Sequence, residues 1–103
     1  QVHGVERVPE LVRFGADNLA ATGQPWARIV AAESGVFGLP ALAPFDRILV
    51  SAEADALPQG LLDQLADGGL MVIPVGGTMQ RVQRRGADID VSEHGEYRFV
   101  PLL

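Results

Sequence analysis

Over its first 76 residues the chain alternates short apolar runs with helical or turn-like segments, and no other feature restricts its fold as strongly. The runs are "QVHGVER" at the start, "WARIVAA" at 26–32, "FDRILVSA" at 45–52 and "LMVIPVG" at 70–76. After the first, Val8, Leu11, Val12, Gly15, Ala16, Leu19 and Ala20 follow the i, i+3, i+4, i+7 series of one helix face. Pro9 suits a first turn and Gly23 stands just past the end, so the spacing predicts a helix from Pro9 to about Ala21. Two glycines and two prolines in "ESGVFGLPALAP" read as a loop. Ile48, Leu49 and Val50 form the unbroken apolar run of a strand covered on both faces. From Pro58, "PQGLLDQLADGG" reads as a short helix with Leu61, Leu62 and Leu65 on one side, closed by a tight turn at Asp67-Gly68-Gly69.

Strands and helices alternating at this spacing imply right-handed crossovers and a parallel, three-layer α/β sheet. After Gly77 the pattern changes. "TMQRVQRRG", "ADIDVSE" and "YRFVPLL" are β-like with no helix between them, so the sheet is expected to end in antiparallel strands. With 103 residues, residues 1–103 read as a single small domain.

The net charge of −5 argues against a non-specific nucleic-acid binder, which needs clustered Lys and Arg. The one basic cluster, Arg81, Arg84 and Arg85, reads as a solvated strand face. Without cysteine the chain has no disulfide, thiolate nucleophile or cysteine-ligated zinc. No apolar run approaches the roughly 18 residues of a membrane span, and the start lacks a signal-peptide pattern. A soluble, cytoplasmic protein is the expectation, with no membrane and no metal.

Glu6 is the residue that carries chemistry. It closes an apolar strand, and in open α/β sheets ligands bind beyond the carboxyl ends of strands. A carboxylate there accepts both hydroxyl hydrogens of a ribose, as in nicotinamide and in S-adenosylmethionine enzymes; a solvated strand end or a charge at a helix start suits the residue equally well. His3 reads as a strand histidine, His94 in "SEHGEY" as a polar turn residue, Trp26 as a packing residue and Asp46 as a surface strand position.

Three stretches together, "GVERVPELVRFGADNL", "APFDRILVSAEADALPQGLLDQLADGGLMVIPVG" and "YRFVPLL", resemble the protein-L-isoaspartate O-methyltransferase family. The resemblance covers nearly the whole chain, from that family's second strand to its C-terminus. It implies a partial Rossmann-like fold of the class I methyltransferases. The implied activity moves the methyl of S-adenosylmethionine onto the carboxylate of an isoaspartyl residue in a damaged protein, which makes isoaspartyl-containing proteins the partners. By position, Glu6 matches the acid that holds the cofactor ribose, and Ser34-Gly35 aligns with the Asp-Gly on the adenine side. Methyl transfer from a sulfonium needs mostly orientation, so no residue is assigned an acid/base role.

The chain departs from the family in three places. The glycine-rich cofactor loop after the family's first strand, and the region before it with its substrate-contacting Ser/Thr segment, have no counterpart here. Ser34 replaces an aspartate, with Glu33 beside it as a substitute carboxylate. Glu53 and Asp55 add charge to a run of small residues near the cofactor rim. In the class I sheet the first strand lies in the middle, so its absence leaves two apolar edges, which recruit other strands. Self-association through those edges is therefore expected. Two other readings are a non-catalytic, truncated methyltransferase module that assembles with itself or a partner, and a nicotinamide-binding half domain. The missing GxGxxG counts against the latter.

Overall fold

A computed structural model describes all residues, 1–103. It divides into two compact units, Gln1–Leu39 and Pro40–Leu103.

The first unit is a β-α-β turn of chain. β1 (Val2–Glu6) pairs in parallel with β2 (Ala27–Ala31), from Val2 opposite Ala27 to Glu6 opposite Ala31. Between them runs α1 (Pro9–Thr22), with proline in its first turn as the sequence predicts. Gly23 ends it in the left-handed conformation, φ 67°, which costs glycine no steric strain. Helix and sheet approach closely at Gly15, where a Cβ would stand 3.0 Å from Ile29 Cδ1.

No side chain of this unit is fully buried. Leu11 and Ala20, expected on the core face of the helix, are exposed, and Phe14 is 66% exposed. Trp26, expected to pack, lies just before β2 and is 52% exposed. One helix over two strands encloses too little space to shield them.

The second unit holds the core. β3 (Phe45–Leu49) is parallel to β4 (Leu65–Val75), and β5 (Thr78–Arg85) and β6 (Asp88–Glu96) follow as antiparallel hairpin strands in the order β3-β4-β5-β6. Antiparallel strands after Gly77 are what the sequence predicts. Gly76 and Gly77, φ 57° and 88°, form the two-residue turn between β4 and β5, where both central residues need positive φ. Met71 faces Val82 across that hairpin, and with Leu65 and Ile73 they are wholly buried. Gln64, also buried, donates from Nε2 to the Gly60 carbonyl.

Several expectations are corrected here. The helix after Pro58 is a single turn, α2 (Gln59–Leu62), and Leu65 opens β4 instead of extending the helix face. Phe45 binds there first: its N–H reaches the Gln64 carbonyl, and it pairs with Leu65. β4 then advances from Leu65 to Leu70 while β3 advances only from Phe45 to Arg47, so Asp67-Gly68-Gly69 is a bulge within a strand and not a turn after a helix. Arg84 is not a freely solvated cation, because it donates to the carbonyls of Leu65 and Gly86 and fastens this bulge to the β5–β6 turn. The Gly86 N–H is in turn held by Asp67 Oδ1 at 2.7 Å. Leu49 is 76% exposed, contrary to a strand covered on both faces. His94 lies in β6 and not in a turn, and "YRFVPLL" forms one isolated bridge, at Pro101, in place of a strand.

β1 and β3 each carry a strand on one side only, β2 and β4 respectively, so each keeps an open edge.

A Cβ at Gly69 would lie 2.8 Å from the Ala66 carbonyl oxygen and 3.0 Å from Leu65 Cδ1. Gly69→Ala is expected to cost about 1–3 kcal/mol in denaturant unfolding. Gly60→Ala, in α2 with open space around it, is expected to be neutral or stabilising by less than about 1 kcal/mol.

Candidate functional site

The strand alternation of β1 ends on Glu6, and Pro9 three residues beyond opens α1. The N-cap residue, Val8, has no side-chain oxygen to offer. Glu6 supplies one instead: its Oε1 accepts the N–H groups of Arg7 at 3.0 Å and Val8 at 3.1 Å. The helix-start reading of this carboxylate is thus realised, and the side chain is held half-buried at the carboxyl end of β1. No hydrogen bond or ion pair engages Oε2, which leaves one acceptor oxygen for a ligand.

β2 carries the chain to the same end of this sheet. The Ala32 N–H continues the ladder to the Glu6 carbonyl at 3.0 Å, and the chain then turns over Glu33–Val36, with the Val36 N–H on the Glu33 carbonyl at 3.1 Å. Gly35 holds φ 76° at the third position of this turn, where a type II turn requires positive φ. Glu6 and the exposed Ser34-Gly35 turn thus follow the carboxyl ends of neighbouring parallel strands. Glu33 is exposed beside them.

The parallel pair of the second unit has a corresponding end. Beyond β3, the Ala54 N–H binds the Pro74 carbonyl and the Gly76 N–H binds the Ala54 carbonyl, which carries the ladder past Leu49. Glu53 faces the other way: its N–H donates to the Val100 carbonyl at 2.6 Å and its carbonyl accepts from Leu102 at 2.8 Å. Glu53 is half-buried, and its Oε1 is closed to solvent without a hydrogen-bond partner. Asp55 is exposed. Sequence reasoning places Glu53 near a ligand rim but misses this clamp, because its partners stand 47 and 49 residues further along.

The remaining candidates are structural. His3 accepts the Arg28 Nε hydrogen at 2.9 Å across the β1–β2 pair, Ser92 Oγ lies 2.7 Å from His94 Nε2, and Asp46 is exposed on β3. A hollow of about 450 Å³ lined by Leu19, Gly23, Pro25 and Ala27 opens at the amino end of β2, the opposite end from Glu6.

Parallel strand pairs joined through helices, with an acid at a carboxyl end, define a Rossmann-like α/β fold of the kind that class I methyltransferases share. All of residues 1–103 match the family described as protein-L-isoaspartate(D-aspartate) O-methyltransferase (PCMT), and the chain belongs to that family. Protein-L-isoaspartate O-methyltransferases of Staphylothermus marinus and Pyrococcus abyssi are 46% and 37% identical to it, each over 99% of this chain, which covers 48% and 50% of their lengths. The chain therefore spans about half the length of the curated relatives it matches. The crystal structure of the β-aspartate methyltransferase (PCMT) of Plasmodium falciparum, in complex with S-adenosyl-L-homocysteine, superposes with a TM-score of 0.83 at 26% identity, over 98% of this chain and 51% of that one. A second protein-L-isoaspartate O-methyltransferase structure, at 21% identity and a TM-score of 0.86, shares the fold.

The two Glu6 hydrogen bonds predict separable mutants. Glu6→Ala removes the acceptor for two amides and is expected to destabilise the chain by about 0.5–2 kcal/mol, the scale of a lost helix cap. Glu6→Gln keeps a side-chain oxygen in place and is expected to lose less than half of that. Thermal unfolding of the two variants measures the difference.

Proposed function

We propose that the protein is an S-adenosylmethionine-dependent O-methyltransferase acting on isoaspartyl carboxylates of damaged proteins, with Glu6 and the Ser34-Gly35 turn among its cofactor contacts. The observation that carries this reading is the Glu6 carboxylate, fixed by two main-chain amides through one oxygen while the other stays available. An acceptor fixed in this way pays its ordering cost during folding and not during binding. It suits a ribose, whose hydroxyls donate. Ser34 offers a short hydroxyl where the family has an aspartate, and Glu33 stands beside it for a longer reach.

When bound, S-adenosylmethionine supplies a methyl already activated as a sulfonium. That methyl would pass in line to an acceptor carboxylate oxygen as the S–C bond breaks, leaving a methyl ester and a neutral thioether. This chemistry asks the chain for position and for exclusion of water, with little proton transfer. The same reading places the protein in the cytoplasm, with which a chain without cysteine is compatible. It also includes self-association: the open edges of β1 and β3, with Val2 and Leu49 exposed on those strands, present unpaired backbone groups and apolar surface to a second copy.

Calorimetric titration with S-adenosylmethionine is expected to show saturable binding that both Glu6→Ala and Glu6→Gln weaken by at least about tenfold, as expected when a half-buried charged acceptor is lost or turned into a donor. Binding unaffected by either change removes Glu6 from the site, and absence of binding removes the cofactor reading for this chain. In sedimentation velocity the chain is expected to run as a dimer or larger species, shifted toward monomer by Leu49→Lys. A monomer at the highest soluble concentration refutes self-association.

A further inference from the structure

Glu53 stands apart from every other acid in the chain. Asp67 and Asp90 are each paired, with the Gly86 amide and the Arg85 guanidinium, and Asp63 accepts from Gln59. Glu53 alone has a carboxylate oxygen shut off from water with no donor on it. Its main chain leaves it little freedom to escape, since its N–H and its carbonyl are both claimed by the C-terminal segment, while Ala54 next to it is claimed by Pro74 and Gly76. The residue is only half-buried, so the carboxyl group as a whole remains approachable.

A carboxylate with one oxygen dehydrated and unpaired is short of positive charge. Leaving such a group unsatisfied costs free energy in the ligand-free chain, and a cation that meets its accessible side recovers part of that cost. It also has less water to displace than at a fully hydrated carboxylate. Glu53 lies beyond the carboxyl end of β3, where open α/β sheets take their ligands. No Lys, Arg or His of the chain forms an ion pair with it.

We infer that Glu53 is a specificity-determining residue that receives a positively charged group of a bound ligand. Two ligands of the proposed reaction carry one. The cofactor is cationic at sulfur and becomes neutral there once demethylated, and a methyl-accepting peptide is cationic where lysine or arginine neighbours the isoaspartyl residue. The inference deepens the methyltransferase reading and rests on it for these two sources.

The test measures equilibrium binding to the 103-residue chain and needs no turnover. One arm titrates S-adenosylmethionine against S-adenosylhomocysteine; the other titrates fluorescent isoaspartyl peptides with lysine or with glutamine at the flanking positions. Each is repeated with Glu53→Gln and with Asp55→Asn. Glu53→Gln is expected to lower the preference for the charged ligand of one pair by roughly fivefold, the scale of a part-exposed ion pair. The affected arm identifies the source. Asp55→Asn, which removes an exposed charge two residues away, is expected to leave both preferences within about twofold and to lose even that effect in salt. Equal preferences in the parent chain and Glu53→Gln overturn the inference, as does a shift of the same size from Asp55→Asn, which marks a general acidic rim. If neither ligand pair binds, the inference falls as well. A chain that binds S-adenosylmethionine through Glu6 but shows no Glu53 effect keeps the methyltransferase reading intact. The melting temperature of ligand-free Glu53→Gln supplies a separate readout: a merely structural acid predicts a fall, the inference predicts no change or a rise.

Discussion

Two consecutive residues beyond β3 spend all four of their main-chain hydrogen-bonding groups, two on each side. Ala54 binds Pro74 and Gly76; Glu53 binds Val100 and Leu102. Successive residues of an extended chain direct their N–H and C=O groups to opposite neighbours, so this short stretch acts as a strand between the end of β4 and the C-terminal segment. Ala54 is 6% exposed, which leaves its side chain little room to grow. The C-terminal segment has no regular structure of its own and makes a single bridge, so its course depends on this contact. The geometry at the end of the parallel pair depends on it too.

Much of the fold is legible in the residues. Pro9, the apolar series from Val8 and Gly23 predict α1 to within a residue at its C-terminal end, and Gly76-Gly77 mark the hairpin at which parallel pairing gives way to antiparallel. The misreadings share a cause. Leu65 completes a helical apolar series with Leu61 and Leu62 on paper, but Phe45, twenty residues earlier, claims it for the sheet, and a three-residue bulge absorbs the mismatch. Period alone does not register a partner so distant in sequence. For Leu49, a continuous apolar run signals a strand built to be covered and says nothing about whether the cover is present among these residues.

The site was legible in a different measure. The position of Glu6 at a strand tip is readable from "VHGVERVP", and so are both of the roles open to it. Geometry shows that they are compatible, because one carboxylate oxygen serves the helix start and the other makes no hydrogen bond. The unpartnered oxygen of Glu53 is not readable. A glutamate among small residues announces charge, while its clamped backbone follows from Val100 and Leu102 arriving from the far end of the chain.

All residues with fully buried side chains fall in the second unit, and that distribution decides how the molecule reports on itself. The single tryptophan, Trp26, sits in the unit without a buried core, and the single tyrosine, Tyr97, sits in the other. Each intrinsic chromophore therefore watches a different half. Tryptophan emission follows loosening of the β-α-β turn that carries Glu6, whereas far-ultraviolet dichroism weighs the longer strands around Met71 and Val82. Where the two signals part company on heating, the gap between them measures how far the halves cooperate.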